Sequence, residues 1–244
     1  MVNTLIAALS IISHSGEVIA NRTSTLEILR ASRDARSSEI ERGARPRIVT
    51  QGSTRSRRVA LTFDDGPQPE TTDKILAILR KRNIRATFFM IGAKVQADMS
   101  IARRVLDAGH EIGNHTQMHP NLTKLDPSAV FEEYGSASQL LEETLGISPY
   151  LCRPPGGNYD RSVVDQSTAL GMTTVLWTSN AADTRLETPA DIAKVVLAKA
   201  KPGGILLLHD TVELTVEALP LILDGLQKKR LKPGTVGELF GLQP

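Results

Sequence analysis

Val59-Ala60-Leu61-Thr62-Phe63-Asp64-Asp65-Gly66-Pro67 is a short apolar run that ends on two carboxylates and a turn. The run reads as a buried strand, and Gly66-Pro67 stops it. Thr71 to Lys81 follows, with Ile75, Leu76, Ile78 and Leu79 at helical spacing. The same alternation continues along the chain. Strands are predicted at residues 86–91, 110–113, 150–152, 173–177 and 204–208, and helices at 101–106, 127–145, 161–170, 189–200 and 215–228. Strands that alternate with long helices form a mostly parallel sheet with the helices outside. About seven such units in about 190 residues predict an α/β fold, a distorted and incomplete (β/α) barrel rather than an open sheet. In a parallel barrel, chemistry gathers where strands end and loops begin.

Residues 1–57 have a different character, rich in Ser, Arg and Glu. Ser24-Thr25-Leu26-Glu27 reads as a capping box for a polar helix running to about Arg42, ended by Gly43 and Pro46. The expected division is an N-terminal extension over 1–57, partly helical or disordered, and an α/β domain over 58–244. Leu5 to Ile12 has the length of a signal-peptide core. No Lys or Arg precedes it and no small-x-small cleavage site follows, so it is a weak secretion signal. No stretch approaches the roughly 20 apolar residues of a membrane span.

The 244 residues carry a net charge of only +2, and no basic stripe is interleaved with aromatics, so a nucleic-acid partner is not expected. Aromatics are 4% of the chain, which argues against a long, deep carbohydrate groove. The single cysteine, Cys152, has no internal disulfide partner and reads as a small buried hydrophobe.

The chemistry-bearing residues lie just after predicted strands. Asp64-Asp65-Gly66-Pro67 alone is an ordinary turn. His115 and His119, at i and i+4 after the third strand, can face one metal ion from a single helical turn. One Asp of the pair would complete an open, catalytic-type ligand set, and the other would remain free as a base. His209 emerges from the apolar strand Gly204 to Leu208 onto the same rim. His14 and His110 read as incidental or structural. In Arg153-Pro154-Pro155-Gly156-Gly157 the prolines stiffen the loop, and the glycines let the backbone approach a ligand.

In this order, Thr-Phe-Asp-Asp-Gly-Pro, His-Thr-x-x-His-Pro, Arg-Pro-Pro-Gly and Leu-x-His-Asp resemble the polysaccharide deacetylase family, the family-four carbohydrate esterases, over about Arg57 to Leu239. The resemblance implies a distorted (β/α) barrel and removal of N-acetyl groups from N-acetylglucosamine units of peptidoglycan or chitin-type oligomers. It implies Asp64 as general base, and Asp65, His115 and His119 as ligands of Zn²⁺, Co²⁺ or another divalent metal. Arg153 would pair with the base, His209 would be the acid, and Asp183 would orient His209. Leu207 would line the acetyl pocket, the backbone near Gly156 would meet the oxyanion, and Trp177 and Thr184 would lie on the substrate side. An acetylated glycan is then the partner, and a secreted or cell-envelope location follows from the function.

Two departures stand out. The fourth motif of the family reads Asp-x-x-Asp-Trp, whereas here Asn180-Ala181-Ala182-Asp183-Thr184 follows the strand-end Trp177. Thr184 removes an apolar wall, which predicts a wider, wetter pocket with weaker rejection of acyl groups larger than acetyl. The same chemistry on O-acetyl xylan, a small amide or a cyclic imide is therefore an alternative. A non-catalytic carbohydrate-binding relative is disfavoured, because base, ligands, Arg and acid are all present.

Overall fold

A computed structural model describes residues 31 and 33–243. The apolar run at 5–12, His14 and the capping box at 24–27 lie outside the described residues. The chain enters as helix α1, residues 33–41, and then forms the two-residue strand β1 (Ile48–Val49). The core alternation follows: β2 (Arg58–Gly66), α2 (Thr71–Lys81), β3 (Thr87–Met90), α3 (Gly92–Ala97), α4 (Met99–Asp107), β4 (Glu111–Asn114), α5 (Pro127–Leu145), β5 (Leu151–Cys152) and α6 (Arg161–Ala169). It is completed by β6 (Thr173–Val175), β7 (Ser179–Asn180), α7 (Pro189–Lys199), β8 (Ile205–His209), α8 (Glu213–Lys228), β9 (Lys232–Gly234) and α9 (Val236–Phe240).

All pairings are parallel. The sheet runs β1-β6-β5-β4-β3-β2-β8-β7, with β9 against β2. The end strands β1 and β7 do not pair with each other among the described residues, so the barrel is incomplete, as the strand–helix count predicts. Helix limits agree with the periodicity to within about two residues at most ends, because the caps are local. Asp126 accepts from the Ala129 amide at 2.9 Å and Pro127 opens α5; left-handed Gly146 closes it. Three strands escape the sequence reading. β1 lies in the segment set apart as an extension, β7 is Ser-Asn without an apolar residue, and β9 is Lys-Pro-Gly, whose residues normally interrupt strands.

Strand parity sorts the side chains. Val59, Leu61 and Phe63 of β2, with Leu206 and Leu208 of β8, face the helices and pack with Ile75, Leu79, Leu219 and Ile222. Ala60 and Ile205 face inward with Phe89, Leu151 and Val175. The inward set continues upward through Thr62 to Asp64. The β2–β8 register sets Thr62 opposite Leu207 and Asp64 opposite His209. The apolar layers thus form the floor of the barrel, and the polar residues crowd its carboxyl end.

Leu61 has no solvent exposure in this outer layer. Leu61→Ala is expected to cost about 2–5 kcal/mol, as deletions of buried methyl groups do. Urea unfolding measures this; a loss below about 1 kcal/mol would mean the helices do not pack on β2 as described.

Candidate active site

Neighbouring strand residues point to opposite faces, so Asp64 and Asp65 should not share a site. The register explains why they do. Asp64 pairs with Phe89 and Gly66 with Met90, which leaves Asp65 as the extra residue of a bulge. Asp65 also takes a left-handed backbone, φ 73°, which Asp tolerates better than most residues. The bulge re-aims its side chain onto the Asp64 side. Asp65 Oδ1 then lies 3.2 Å from His115 Nε2, and Asp64 Oδ2 lies 3.9 Å from the same atom.

The two histidines do not sit on a helical turn. They bracket an irregular loop in which Thr116 and His119 are left-handed, with φ 69° and 62°. Pro120 after His119 disfavours helical backbone there. Side chains replace the missing backbone ladder. Asn114 Oδ1 accepts from the Thr116 amide at 2.8 Å, and the Thr116 hydroxyl accepts from His119 at 3.0 Å. Glu133 Oε2 accepts from the Gln117 and Met118 amides. His115 Nδ1 donates to the Arg153 carbonyl at 2.7 Å, which leaves Nε2 with its lone pair facing the site. His119 Nε2 lies 3.1 Å from Asp65 Oδ1.

One atom each from Asp65, His115 and His119 lies within 4.8 Å of the others. Two ligands of one Zn²⁺ ion stand no more than about 4.2 Å apart, and both His–Asp distances satisfy this. The donor set of two imidazoles and a carboxylate suits Zn²⁺ or a similar ion. Burial opposes the charge of Asp65, but the imidazoles of His115 and His119 against it, with the nearby His209, outweigh it. They hold the carboxyl well below the usual range.

Arg153 carries the second half of the arrangement. It has no solvent exposure and donates through Nη1 to Asp64 Oδ1 at 2.6 Å and to Thr62 Oγ1 at 2.8 Å. Its Nε donates to the Val175 carbonyl at 3.1 Å, and its guanidinium lies 4.2 Å above the Phe89 ring. The pair holds Asp64 beside the Asp65–His115–His119 cluster.

Opposite lies His209. Its Nδ1 bonds to Asp183 Oδ1 at 2.7 Å, and its own amide donates to Asp183 Oδ2 at 2.7 Å. Thr215 Oγ1 donates to that same oxygen at 2.7 Å. His209 Nε2 points back to Asp65 Oδ2 at 4.0 Å. Burial lowers the pKa of this imidazole, but the hydrogen bond and charge of Asp183, with Asp64 and Asp65, push it up to about 9. Asn180 Oδ1 accepts from the Ala182 amide at 2.7 Å and closes the turn that delivers Asp183. Asn serves this role as Asp would, without the charge.

The remaining candidates form the rim. Leu207 faces inward and is buried. Gly156 and Gly157 are left-handed, and Gly156 is exposed. The Trp177 ring packs on the Gly157 α-carbon, where a Cβ would stand 2.5 Å from Cη2. It also lies 5.7 Å from the Arg153 guanidinium. Thr184 is exposed. His110 is structural: its Nδ1 accepts from the Ala86 amide at 3.1 Å, and burial holds its pKa down to about 4.

Asn114, Glu133 and Thr215 gave no signal in the sequence, and Asp210 enters it only as the last residue of Leu-x-His-Asp, without a role of its own. Glu133, Thr215 and Asp210 act through contacts distant in sequence, whereas Asn114 braces the loop two residues on. Burial, with Asp65 and Asp64 nearby, pushes the Asp210 carboxyl up to about 7 against the hydrogen bond from Thr72.

Residues 51–175 match the family model of the polysaccharide deacetylases. The chain is 32% identical over 186 residues to the peptidoglycan-N-acetylglucosamine deacetylase PgdA of Listeria monocytogenes; the match covers 76% of this chain and 39% of that protein. It therefore spans well under half of the Listeria protein. It is 37% identical over 187 residues to a peptidoglycan-N-acetylglucosamine deacetylase of Bacillus cereus, covering 75% of this chain and 87% of that one. Among solved structures, a pseudoenzyme of the CE4 family from Bacillus anthracis superposes with a TM-score of 0.77 at 29% identity, covering 80% of this chain and 69% of that one.

Asp65 stands with His115 and His119, whereas Asp64 is held by Arg153. His115→Ala and His119→Ala are expected to abolish tight Zn²⁺ binding, whereas Asp64→Asn retains it. Competition with a chelator measures this; loss of Zn²⁺ in Asp64→Asn equal to that in His119→Ala would reassign Asp64 as a ligand.

Proposed function

The chain belongs to the polysaccharide deacetylase family, and on that premise we propose that it is a metal-dependent hydrolase removing N-acetyl groups from N-acetylglucosamine units of a peptidoglycan or chitin-type glycan. One observation carries the reading. The Asp65–His115–His119 cluster stands between a carboxylate locked by Arg153 and an imidazole locked by Asp183.

A divalent cation held by Asp65, His115 and His119 would polarise the acetyl carbonyl and acidify the attacking water. Asp64 takes the proton from that water as its oxygen adds to the carbonyl carbon. Arg153 keeps Asp64 ionised and aimed for this. His209, protonated beside Asp183, then gives a proton to the amide nitrogen as the carbon–nitrogen bond breaks, releasing acetate and the free amine. Each such proton transfer contributes roughly 10²- to 10⁴-fold. The exposed loop at Gly156 offers a backbone donor to the oxyanion, and Leu207 lines the acetyl side. Asp64 lies 3.9 Å from His115 Nε2 and His209 Nε2 lies 4.0 Å from Asp65, so both proton-handling groups reach the cluster.

The small, exposed Thr184 favours a second reading with the same chemistry on O-acetyl xylan, a small amide or a cyclic imide. Activity is not guaranteed by the fold, since the Bacillus anthracis neighbour is a pseudoenzyme. This chain retains every group the mechanism needs. A polymeric cell-wall substrate would place the protein in the cell envelope or outside the cell.

Acetate release from peptidoglycan fragments, chitin oligomers and acetylated xylan tests the substrate. Release from the first two in the presence of Zn²⁺ or Co²⁺ is expected; release from xylan alone would replace the leading reading by the second. A pH profile tests the acid. His209 must be protonated, so activity falls as pH rises through its pKa. Asp183→Asn removes the group that raises that pKa, so the alkaline limb should move to lower pH. An unmoved limb would mean that His209 is not the acid.

A further inference from the structure

The bulge that turns Asp65 into the site rests on a side chain outside the mechanism. Asp210 is almost wholly buried directly beneath it. Its amide donates to the Asp64 carbonyl at 3.2 Å. Its Oδ2 accepts from Thr72 Oγ1 at 2.7 Å, and that hydroxyl in turn accepts from the Gln68 amide at 2.9 Å. Between these two anchors the carboxyl presses on Gly66. A Cβ at Gly66 would lie 2.0 Å from Oδ2 and 2.3 Å from Oδ1. Asp210 therefore touches the backbone of residue 64, the face of residue 66 and, through one hydroxyl, the backbone of residue 68.

Gly66 does not have a left-handed φ. Its backbone would accept alanine, so the need for glycine comes from the carboxyl and not from the turn. Asp210 Oδ1, meanwhile, is buried with no hydrogen-bond partner among the described residues. A buried oxygen left unpartnered opposes stability, and binding the Thr72 hydroxyl needs only one oxygen. The second oxygen fills the space against Gly66 instead.

We propose that Asp210 is a positioning residue for the metal site: wedged under Gly66 and tied to Thr72, it fixes the bulge that presents Asp65 to the cation. This rests on the reading of Asp65, His115 and His119 as ligands. Asp210 does not touch substrate or cation; it acts through the backbone on either side of Asp65. Outer partners of ligating carboxylates typically change metal affinity by about 10- to 100-fold when removed.

The test uses the whole chain and Zn²⁺ itself, with affinity read by chelator competition and the melting temperature read without metal. Gly66→Ala should weaken Zn²⁺ binding by about tenfold or more, because the new methyl displaces the carboxyl and the loop together. Asp210→Gly should also weaken it about tenfold by removing the wedge. The double variant Gly66→Ala with Asp210→Gly should bind Zn²⁺ more tightly than Gly66→Ala alone, since the methyl occupies the vacated space. Asp210→Asn, which keeps the shape and the acceptor for Thr72, should bind like the natural chain. A purely structural Asp210 would lower the melting temperature of the variants and leave their Zn²⁺ affinity unchanged, which overturns the proposal. A double variant no better than Gly66→Ala also overturns it. Should Asp210→Gly fail to fold, Thr72→Val carries the test, and affinity within about twofold of natural is the overturning result. A natural chain that binds no Zn²⁺ would instead remove the metal reading on which the proposal stands.

Discussion

Arg153 is a guanidinium without access to water, and a charge so placed must be met on every side. Its partners come from separate parts of the barrel: Asp64 and Thr62 on β2, the carbonyls of Val175 and Leu176 at the end of β6, and the ring of Phe89 on β3. Its own carbonyl fixes the His115 ring. Asp64, His115 and the barrel interior are thus tied to one residue. Removing one member of such a buried pair typically costs about 3–5 kcal/mol, because the other charge is left uncompensated. The carboxylate and the imidazole at the centre of the site are therefore bound to the upper layer of the barrel, and the loop that carries His119 is braced from it.

The acid side is built differently. Asp183 receives three hydrogen bonds, two of them from His209 itself. The carboxylate grips both the backbone and the ring of one residue, so the imidazole has no freedom to turn away. The turn before it depends on Asn180 closing on the Ala182 amide, which explains how the motif survives the replacement of Asp by Asn. The other replacement, at Thr184, leaves that corner open to water, and Trp177 packs on Gly157 and Arg153 elsewhere on the rim.

The legible part of the sequence was its periodicity. Apolar runs and helical spacing located β2, β3, β4, β5, β6 and β8, and with them the rim where polar residues collect. Asp64, Arg153 and His209 could be placed there because each directly ends or follows such a run. The means of convergence was not legible. A two-residue period does not announce one extra residue, so nothing marked Asp65 as bulged. The i, i+4 spacing of His115 and His119 fits a helical turn and a side-chain-braced loop equally well, and Asn114 and Glu133 decide for the loop. Thr72 and Asp210 meet across 138 residues of chain. Contacts of that span leave no local trace.

The sheet order also carries a temporal meaning. Asp64, Asp65, His115 and His119 sit on sequentially neighbouring strands, β2 to β4, but the contacts that set them reach further along the chain, through Arg153 to the Val175 carbonyl and from the Asp64 carbonyl to Asp210. His209 depends on β8, which reaches back to β2 through contacts such as the Thr62 hydroxyl donating to the Leu206 carbonyl, 144 residues apart. Long-range parallel pairing is slow to form, because a large loop must close before any contact rewards it. As the chain leaves the ribosome, Asp64, Asp65, His115 and His119 emerge well before β8. Pairing of β8 with β2 is the event that sets His209 and Asp210 against the rim that already carries the two carboxylates.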